Sequence, residues 1–357
     1  MDISPERLRP VLSLIADFYT AEGRPLPWRA DREPYHVWLS EIMLQQTRVE
    51  AVIPYYERFL RVFPTVEALA AADDDTLYKC WEGLGYYARA RNLRRAAQTV
   101  AALGCFPSDY EGLVSLSGVG EYTAGAIGSI CFGLPTPAVD GNVLRVLARL
   151  FAITEDITSP AVKKAAREAL TEAYPTGERA CAVTQGFMEI GQRFCLPNGT
   201  PKCEGCPLRA HCQVGLEGGH EHIPVRAAKK ARKIQKRTLL LLLSEGEDGP
   251  RFALRKRPER GLLAGLWEFP SVEGHLADTE AFALAKKLGF DPMGAVASVS
   301  ATHTFTHLEW HMESYLVPIK DTLPKGYTLV TPAEMETVFP IASAFRAFKD
   351  FVKKNKM

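Results

Sequence analysis

The sequence predicts two domains of different class: an all-α domain from residue 5 to about 212, then an α+β domain over 236–357. Three observations predict this. Apolar residues in the first part step by three and four, the mark of buried helix stripes. A glycine-rich hairpin, Leu116-Ser117-Gly118-Val119-Gly120, joins two of these helical patterns. Beyond Cys212 the texture turns strand-like, with TLLLLLSEG, RFALRKRP and THTFTHLEWHMESYLVPI.

Taken in order, Pro34 suits the first turn of a helix running to about Gln46. Val49, Val52, Ile53, Tyr56, Phe59, Leu60 and Phe63 form the next stripe. Pro54 inside it predicts a late start or a kink. Tyr86 and Tyr87 head a helix carrying Arg89, Arg91, Arg94 and Arg95. Ser108 with Glu111 reads as a capping box before the hairpin. Val143, Val146, Leu147, Leu150 and Phe151 form a further stripe. These patterns predict boundaries of 1–214 for the helical domain, 215–235 for a basic linker and 236–357 for the second domain, which has one helix at Glu280–Leu288.

At 357 residues the chain is long enough for two or three domains with real cores. Net charge is only +1, so the whole-chain balance argues neither for nor against nucleic acid. Local runs matter more: seven of the twelve residues from Arg226 to Arg237 are Lys or Arg, a solvated face or a phosphate-binding stretch. No apolar run is long enough for a membrane span, and residues 1–20 lack a signal-peptide core. A cytoplasmic, membrane-free protein is expected. In a reducing compartment eight cysteines favour thiols or metal ligands over disulfides. Cys80, Cys105, Cys131 and Cys181 are scattered and read as small core residues.

Four constellations could do chemistry. Glu41 shares a helix face with Val37, Trp38, Leu44 and Gln45. It is either a salt-bridged structural acid or a general acid. To stay half-protonated at pH 7 its pKa must rise from about 4.3 to about 7, a cost of about 3.7 kcal/mol, which burial can supply. Asp140 precedes Gly141 and a helix stripe, so it reads as an N-cap whose second oxygen could face a ligand. One protonated and one ionised carboxyl in a pocket can cleave a bond at an anomeric carbon. The hairpin, with Gly118 and Gly120, leaves amides open at a helix N-terminus, suited to a phosphate. Cys195-x7-Cys203-x2-Cys206-x5-Cys212 is a metal loop. Zinc is open to it, but a single CxxC with uneven gaps suits a [4Fe–4S] cluster. Tyr86 and Tyr87 are either core aromatics or wedges for a base stack.

Together these motifs resemble the MutY-type adenine DNA glycosylases of the endonuclease III-like helix-hairpin-helix superfamily. The resemblance rests on LPWR (26–29), WLSEIMLQQTRV (38–49), GLGYYARARNL (83–93), GVGEYTAGAI (118–127), VDGNVLRVLARL (139–150) and the cysteine loop. It implies a helix-hairpin-helix glycosylase domain with an iron–sulfur loop, followed by a MutT-like domain, working as a monomer on double-stranded DNA. It implies that Glu41 protonates adenine, that Asp140 stabilises the sugar cation, and that Tyr122 and Asn142 position them. Trp28, Arg29, Leu44 and Gln185 would line the adenine pocket. Gln46, Thr47, Tyr86, Gly118 and Gly120 would contact DNA. Bifunctional relatives carry lysine where this chain has Tyr122; a phenol cannot form a Schiff base, so a single hydrolytic step is implied.

Phe305-Thr306-His307 matches the segment that senses 8-oxoguanine opposite the adenine. The Nudix acid helix is missing: EAFALAKKLGF holds only Glu280. The resemblance therefore implies recognition without hydrolysis. Two features depart from the family pattern: a first cysteine gap of seven residues instead of six, and Ser117 in place of proline. Other readings are a mismatch glycosylase for another base such as thymine, a non-catalytic iron–sulfur DNA-binding protein, and a nucleotide hydrolase.

Overall fold

The computed structural model describes residues 3–227, 231–246, 249–320 and 323–354. It divides into two compact units. One takes the described residues of 1–70 and 92–229, the other those of 71–91 and 230–357. Within the predicted linker, 228–230 lie outside the described residues. Among the described residues no helix is long and apolar enough to cross a membrane.

The helices of the first 230 residues are α1 (Pro5–Glu22), α2 (Pro34–Leu44), α3 (Val49–Val62), α4 (Val66–Ala70), α5 (Asp74–Trp81), α6 (Ala88–Leu103), α7 (Tyr110–Ser115), α8 (Glu121–Phe132), α9 (Gly141–Leu150), α10 (Pro160–Ala173), α11 (Glu178–Arg193) and α12 (Gln213–Glu217). The core of the first unit forms where α1, α9, α10 and α11 meet, around the fully buried Leu8, Ile15, Leu147, Leu170, Val183 and Ile190. Helix α11 lies against α1, α8 and α9. Gly186 lets it approach α1: a Cβ there would stand 2.5 Å from Ile15 Cγ2 and 2.8 Å from the Ile15 carbonyl oxygen.

Two local expectations are corrected. Helix α3 starts at Val49 and continues through Pro54. The missing proline N–H leaves only the carbonyl of the exposed Glu50 without its intrahelical partner, which water can satisfy. Asp109, not Ser108, caps α7: its Oδ1 accepts from Gly112 N at 2.8 Å. The cap is shifted by one residue, so its carboxylate takes the Gly112 donor where a Ser108 cap would have taken that of Glu111.

Residues 71–91 belong with the strand-rich unit. Lys79 Nζ donates to the carbonyls of Met335 (3.0 Å) and Phe339 (3.3 Å). Asp75 pairs with Lys256 at 2.9 Å, and Glu82 with Lys349 at 3.1 Å. Helical periodicity placed this segment with the helical domain because its partners come from distant sequence.

The second unit adds β1 (Lys233–Gly246), β2 (Gly249–Lys256), β3 (Trp267–Glu268), β4 (Ser271–Glu273), α13 (Asp278–Lys287), β5 (Val296–Thr304), β6 (Leu308–Pro318), β7 (Tyr327–Val330), α14 (Pro332–Thr337) and α15 (Arg346–Lys354). The sheet order is β3-β2-β1-β6-β5, with β4 on β1 and β7 on β2. β1 runs parallel to β6, from Lys233 beside Leu308 to Leu243 beside Pro318. That pairing explains Leu239–Leu243, a run buried on both faces as parallel central strands are. It also starts the strand at Lys233, inside the segment read as linker. THTFTHLEWHMESYLVPI is not one strand: β5 and β6 are antiparallel, and Phe305–His307 form the three-residue turn between them.

Gly186→Ala forces α1 and α11 apart. Overpacking of this kind costs about 1–3 kcal/mol, so thermal denaturation should show a clear loss of stability. An unchanged melting temperature would mean that the two helices can separate freely.

Candidate active site

The site is built on the first unit. Helix α2 presents Glu41 to a narrow cleft, where it is 4% exposed. Trp28 and Arg29 reach the cleft from the short turn Pro27–Arg29, Leu44 from the last turn of α2, and Gln185 from α11. All four residues assigned to an adenine pocket thus line one cleft with Glu41. Gln185 Nε2 donates to Cys181 Sγ at 3.2 Å, which fixes its amide.

Tyr122, in the first turn of α8, hydrogen-bonds through its hydroxyl to Glu41. Asp140 caps α9: Oδ1 accepts from Asn142 N at 2.8 Å and Val143 N at 2.9 Å. Its Oδ2 is not free, as the capping pattern implied, but accepts from Asn142 Nδ2 at 2.7 Å. Asn142 Oδ1 accepts from Arg145 Nη2 at 3.0 Å, and Arg145 Nε donates to the Cys195 carbonyl at 2.8 Å. A continuous hydrogen-bonded chain therefore runs from the cysteine loop to Asp140. The structure shows the capping role of Asp140; a carboxylate oxygen has two lone pairs, and Oδ2 uses one on Asn142.

The charges follow from placement. Burial pushes Glu41 up to about 7; the Tyr122 hydroxyl and Arg29 pull it down, and the Asp140 charge adds to the rise. Burial also raises Asp140, against the amides of Val143 and Asn142 that hold it down. Tyr122 is pushed well above 10 by burial and the two acids, so it stays a neutral donor. One carboxyl that burial pushes up to about 7 is thus coupled to a second whose rise is opposed by three N–H groups, a contrast that suits acid–base chemistry.

The hairpin holds Gly118 at φ +77°, where a Cβ would meet Asn92 Cβ at 2.6 Å. Gly120 starts α8 and no side chain caps it, so first-turn amides remain open donors. Gln46 ends the turn after α2, exposed and at φ +60°; Thr47 follows, its N–H donating to the Leu44 carbonyl at 3.2 Å. In the second unit Tyr86 is 49% exposed and sits at φ +49°. A left-handed non-glycine backbone costs about 1–2 kcal/mol, and Gln46 and Tyr86, both assigned to DNA contact, carry it. Tyr87 is 5% exposed and belongs to the core. The Tyr86 hydroxyl lies 2.7 Å from that of Thr306. In the same turn Phe305 packs edge-on against Trp310 at 4.9 Å, while Thr306 and His307 are exposed. Glu280 is spent on capping α13, accepting from Ala277 N at 2.8 Å.

Cys195, Cys203, Cys206 and Cys212 line one largely apolar cavity. Among the described residues no three His, Cys, Asp or Glu side chains converge closely enough for one metal ion. A tetrahedral zinc site needs its thiolates about 3.8 Å apart, from Zn–S distances of about 2.3 Å. Four thiols around one apolar cavity are a donor set that could hold a metal centre. Arg149 Nη1 donates to Cys195 Sγ at 3.4 Å and Gly215 N to Cys212 Sγ at 3.3 Å, as N–H groups do around cluster thiolates.

Sequence reasoning missed Glu189, Arg24, Arg145 and Arg149. Glu189 lies one turn past Gln185 on α11, so helical spacing from Gln185 was the available signal.

This geometry has known counterparts. The profile of the HhH-GPD superfamily of base excision DNA repair proteins matches residues 39–172, and that of the NUDIX domain matches 240–350. The structure of a thermostable thymine-DNA glycosylase is similar to the helical part, with a TM-score of 0.53 and 27% identity, covering 60% of this chain and 100% of that one. The chain is thus a base excision repair protein with a helix-hairpin-helix domain. The adenine DNA glycosylase of Buchnera aphidicola (subsp. Acyrthosiphon pisum) is 32% identical over 94% of this chain and 97% of its own length. That of Arabidopsis thaliana is 38% identical over 72% of this chain, which spans only 46% of the plant protein. The chain belongs to the adenine DNA glycosylase family, enzymes of base excision repair.

Glu41 titrates near 4.5 when unfolded and about 7 when folded. The folded state therefore holds this proton more tightly, and the stability tied to it is full below about pH 4.5 and lost as pH rises toward 7. Glu41→Gln carries no such proton. Its stability relative to the parent should grow by about 2–3 kcal/mol between pH 5 and pH 8, measured by thermal melts at both. An equal difference at the two values would show Glu41 already ionised and paired.

Proposed function

We propose that the protein is a monofunctional glycosylase that flips adenine out of duplex DNA and hydrolyses its N-glycosidic bond where it stands opposite 8-oxoguanine or guanine. The observation that carries this is Glu41, buried in the wall of the cleft with Trp28, Arg29, Leu44 and Gln185, bonded to Tyr122 and acted on by the Asp140 charge. Adenine leaves poorly as an anion. A proton from Glu41 makes it a neutral leaving group as the bond to C1′ breaks and its electron pair goes to the base. Asp140 offsets the positive charge on the sugar. Water then bonds to C1′ and returns a proton to the Glu41 carboxylate. Tyr122 and Asn142 hold the two acids. No amine stands at Tyr122, so no covalent sugar adduct is expected.

Single-turnover release from duplexes with adenine opposite 8-oxoguanine, guanine, cytosine or thymine tests this. Release should be confined to the first two, strand breaks should need added alkali, and borohydride should trap almost nothing. Glu41→Gln should abolish release with duplex binding within a few-fold; retained turnover in that variant would falsify the assignment. The turn Phe305–His307 supports a reader of the opposite base. His307→Ala should lower the preference for 8-oxoguanine over guanine by about 10-fold, the equivalent of one hydrogen bond of about 1.4 kcal/mol. Point substitution is the cleaner probe than removal of 230–357, which would uncover Lys79, Glu82 and Asp75.

The likeness to a thymine-DNA glycosylase is confined to about 60% of the chain, whereas the bacterial adenine glycosylase spans the strand-rich unit as well. Adenine is therefore the better-supported base.

The four cysteines would hold a [4Fe–4S] cluster, which would tie 195–212 into one rigid loop. The purified protein is expected to be yellow-brown with about four irons per chain. A colourless, active preparation with one zinc would overturn this.

A further inference from the structure

Behind Arg29 of the cleft wall stands a second buried acid, Glu189, that the reaction does not use. Glu189 on α11 is fully buried. It accepts from Arg24 Nε at 3.0 and 2.9 Å and from Arg29 Nη1 at 2.8 Å. Arg193 stands at 3.8 Å. Arg29 also donates to the Arg24 carbonyl at 3.1 Å and lies over the Tyr19 ring at 5.3 Å. Its side chain is only 7% exposed, and it shares the cleft wall with Glu41. Burial pushes Glu189 up, but hydrogen bonds from Arg24 and Arg29 outweigh that and hold it ionised.

A buried guanidinium beside a carboxyl favours the carboxylate. Glu41 must do the opposite and keep its proton. It faces Tyr122 from α8, Asp140 from the turn before α9 and Arg29 from the turn 27–29. On α11 the cleft offers only neutral groups, Gln185 among them. Among the described residues Arg29 is thus the cation that acts on Glu41, and Glu189 is the anion that answers it.

We propose that Glu189 is a positioning residue of adenine cleavage: it fixes the Arg29 guanidinium against the cleft wall and cancels its charge, so that Glu41 meets the base as a neutral acid. This rests on the reaction proposed above, in which Glu41 is the proton donor. It assigns a reason for an ionised acid in a place where a hydrophobic residue would otherwise pack more cheaply.

The test is single-turnover adenine release by the full-length protein between pH 5 and 9, on saturating duplex with adenine opposite 8-oxoguanine. Glu189→Gln keeps the shape and removes the charge. Its alkaline midpoint should fall by about one pH unit, lowering the rate at pH 8 about tenfold. Glu189→Asp retains the charge and should retain the midpoint. Adding Arg29→Gln to Glu189→Gln removes the unmatched cation and should bring the midpoint back. A uniform loss of rate at every pH with a fixed midpoint would make Glu189 merely structural and overturn the proposal. So would a shift that persists in the double variant. If Glu189→Gln does not fold, Arg29→Gln alone removes the cation that acts on Glu41 and should move the midpoint upward; no movement sinks the idea. Full activity in Glu41→Gln would instead remove the proton donor itself, a failure of the underlying reaction recognisable without any Glu189 variant.

Discussion

The burial of one carboxyl governs this site. Glu41 is 4% exposed on α2, and desolvation, helped by the Asp140 charge, outweighs both the Tyr122 hydroxyl and the Arg29 guanidinium. Everything near it serves that imbalance. Tyr122 donates without ionising, Gln185 offers a neutral amide, and Glu189 matches the nearby cation. A polar group taken from water costs free energy unless paired. Here the cost is held in the folded state as a proton, the quantity that a poor leaving group needs.

Asp140 illustrates the complementary arrangement. Its carboxylate is anchored by two backbone amides and the Asn142 side chain. Arg145, 2% exposed, joins Asn142 to the Cys195 carbonyl and to that of Gly191 on α11. The cysteine loop and Asp140 are therefore parts of one polar network within an otherwise apolar helix cluster. Buried networks of this kind position their members tightly because every vacated partner is expensive.

Backbone strain marks other functional candidates. Gln46 and Tyr86 are two of the four non-glycine residues with positive φ among the described residues. Both are exposed, so packing does not explain the strain. Strained, exposed polar or aromatic side chains are where a protein keeps contacts for a ligand rather than for itself.

Much was legible in the sequence. The helix read from Pro34 to about Gln46 and the stripes over 49–63 and 143–151 match α2, α3 and α9 to within a few residues, since a stripe every three or four positions has one low-energy solution. The hairpin glycines, the cap at Asp140 and the four-cysteine loop are local signals and fell where their chemistry required. Glu41 stood out because a carboxylate amid Val37, Trp38 and Leu44 is costly. What the chain alone could not decide was long-range. Residues 71–91 read as part of a helical domain, yet Lys79, Asp75 and Glu82 bond to residues near 256, 335 and 349. The Phe305–His307 turn hid inside an apparently continuous strand, because alternation looks the same on both arms of a hairpin. Glu189 was invisible because its meaning comes from Arg24 and Arg29, about 160 residues away, and charges are matched only once the fold brings them within hydrogen-bond reach. Local chemistry determined the parts; only tertiary structure, by fixing burial and distance, decided which of the acids keeps its proton.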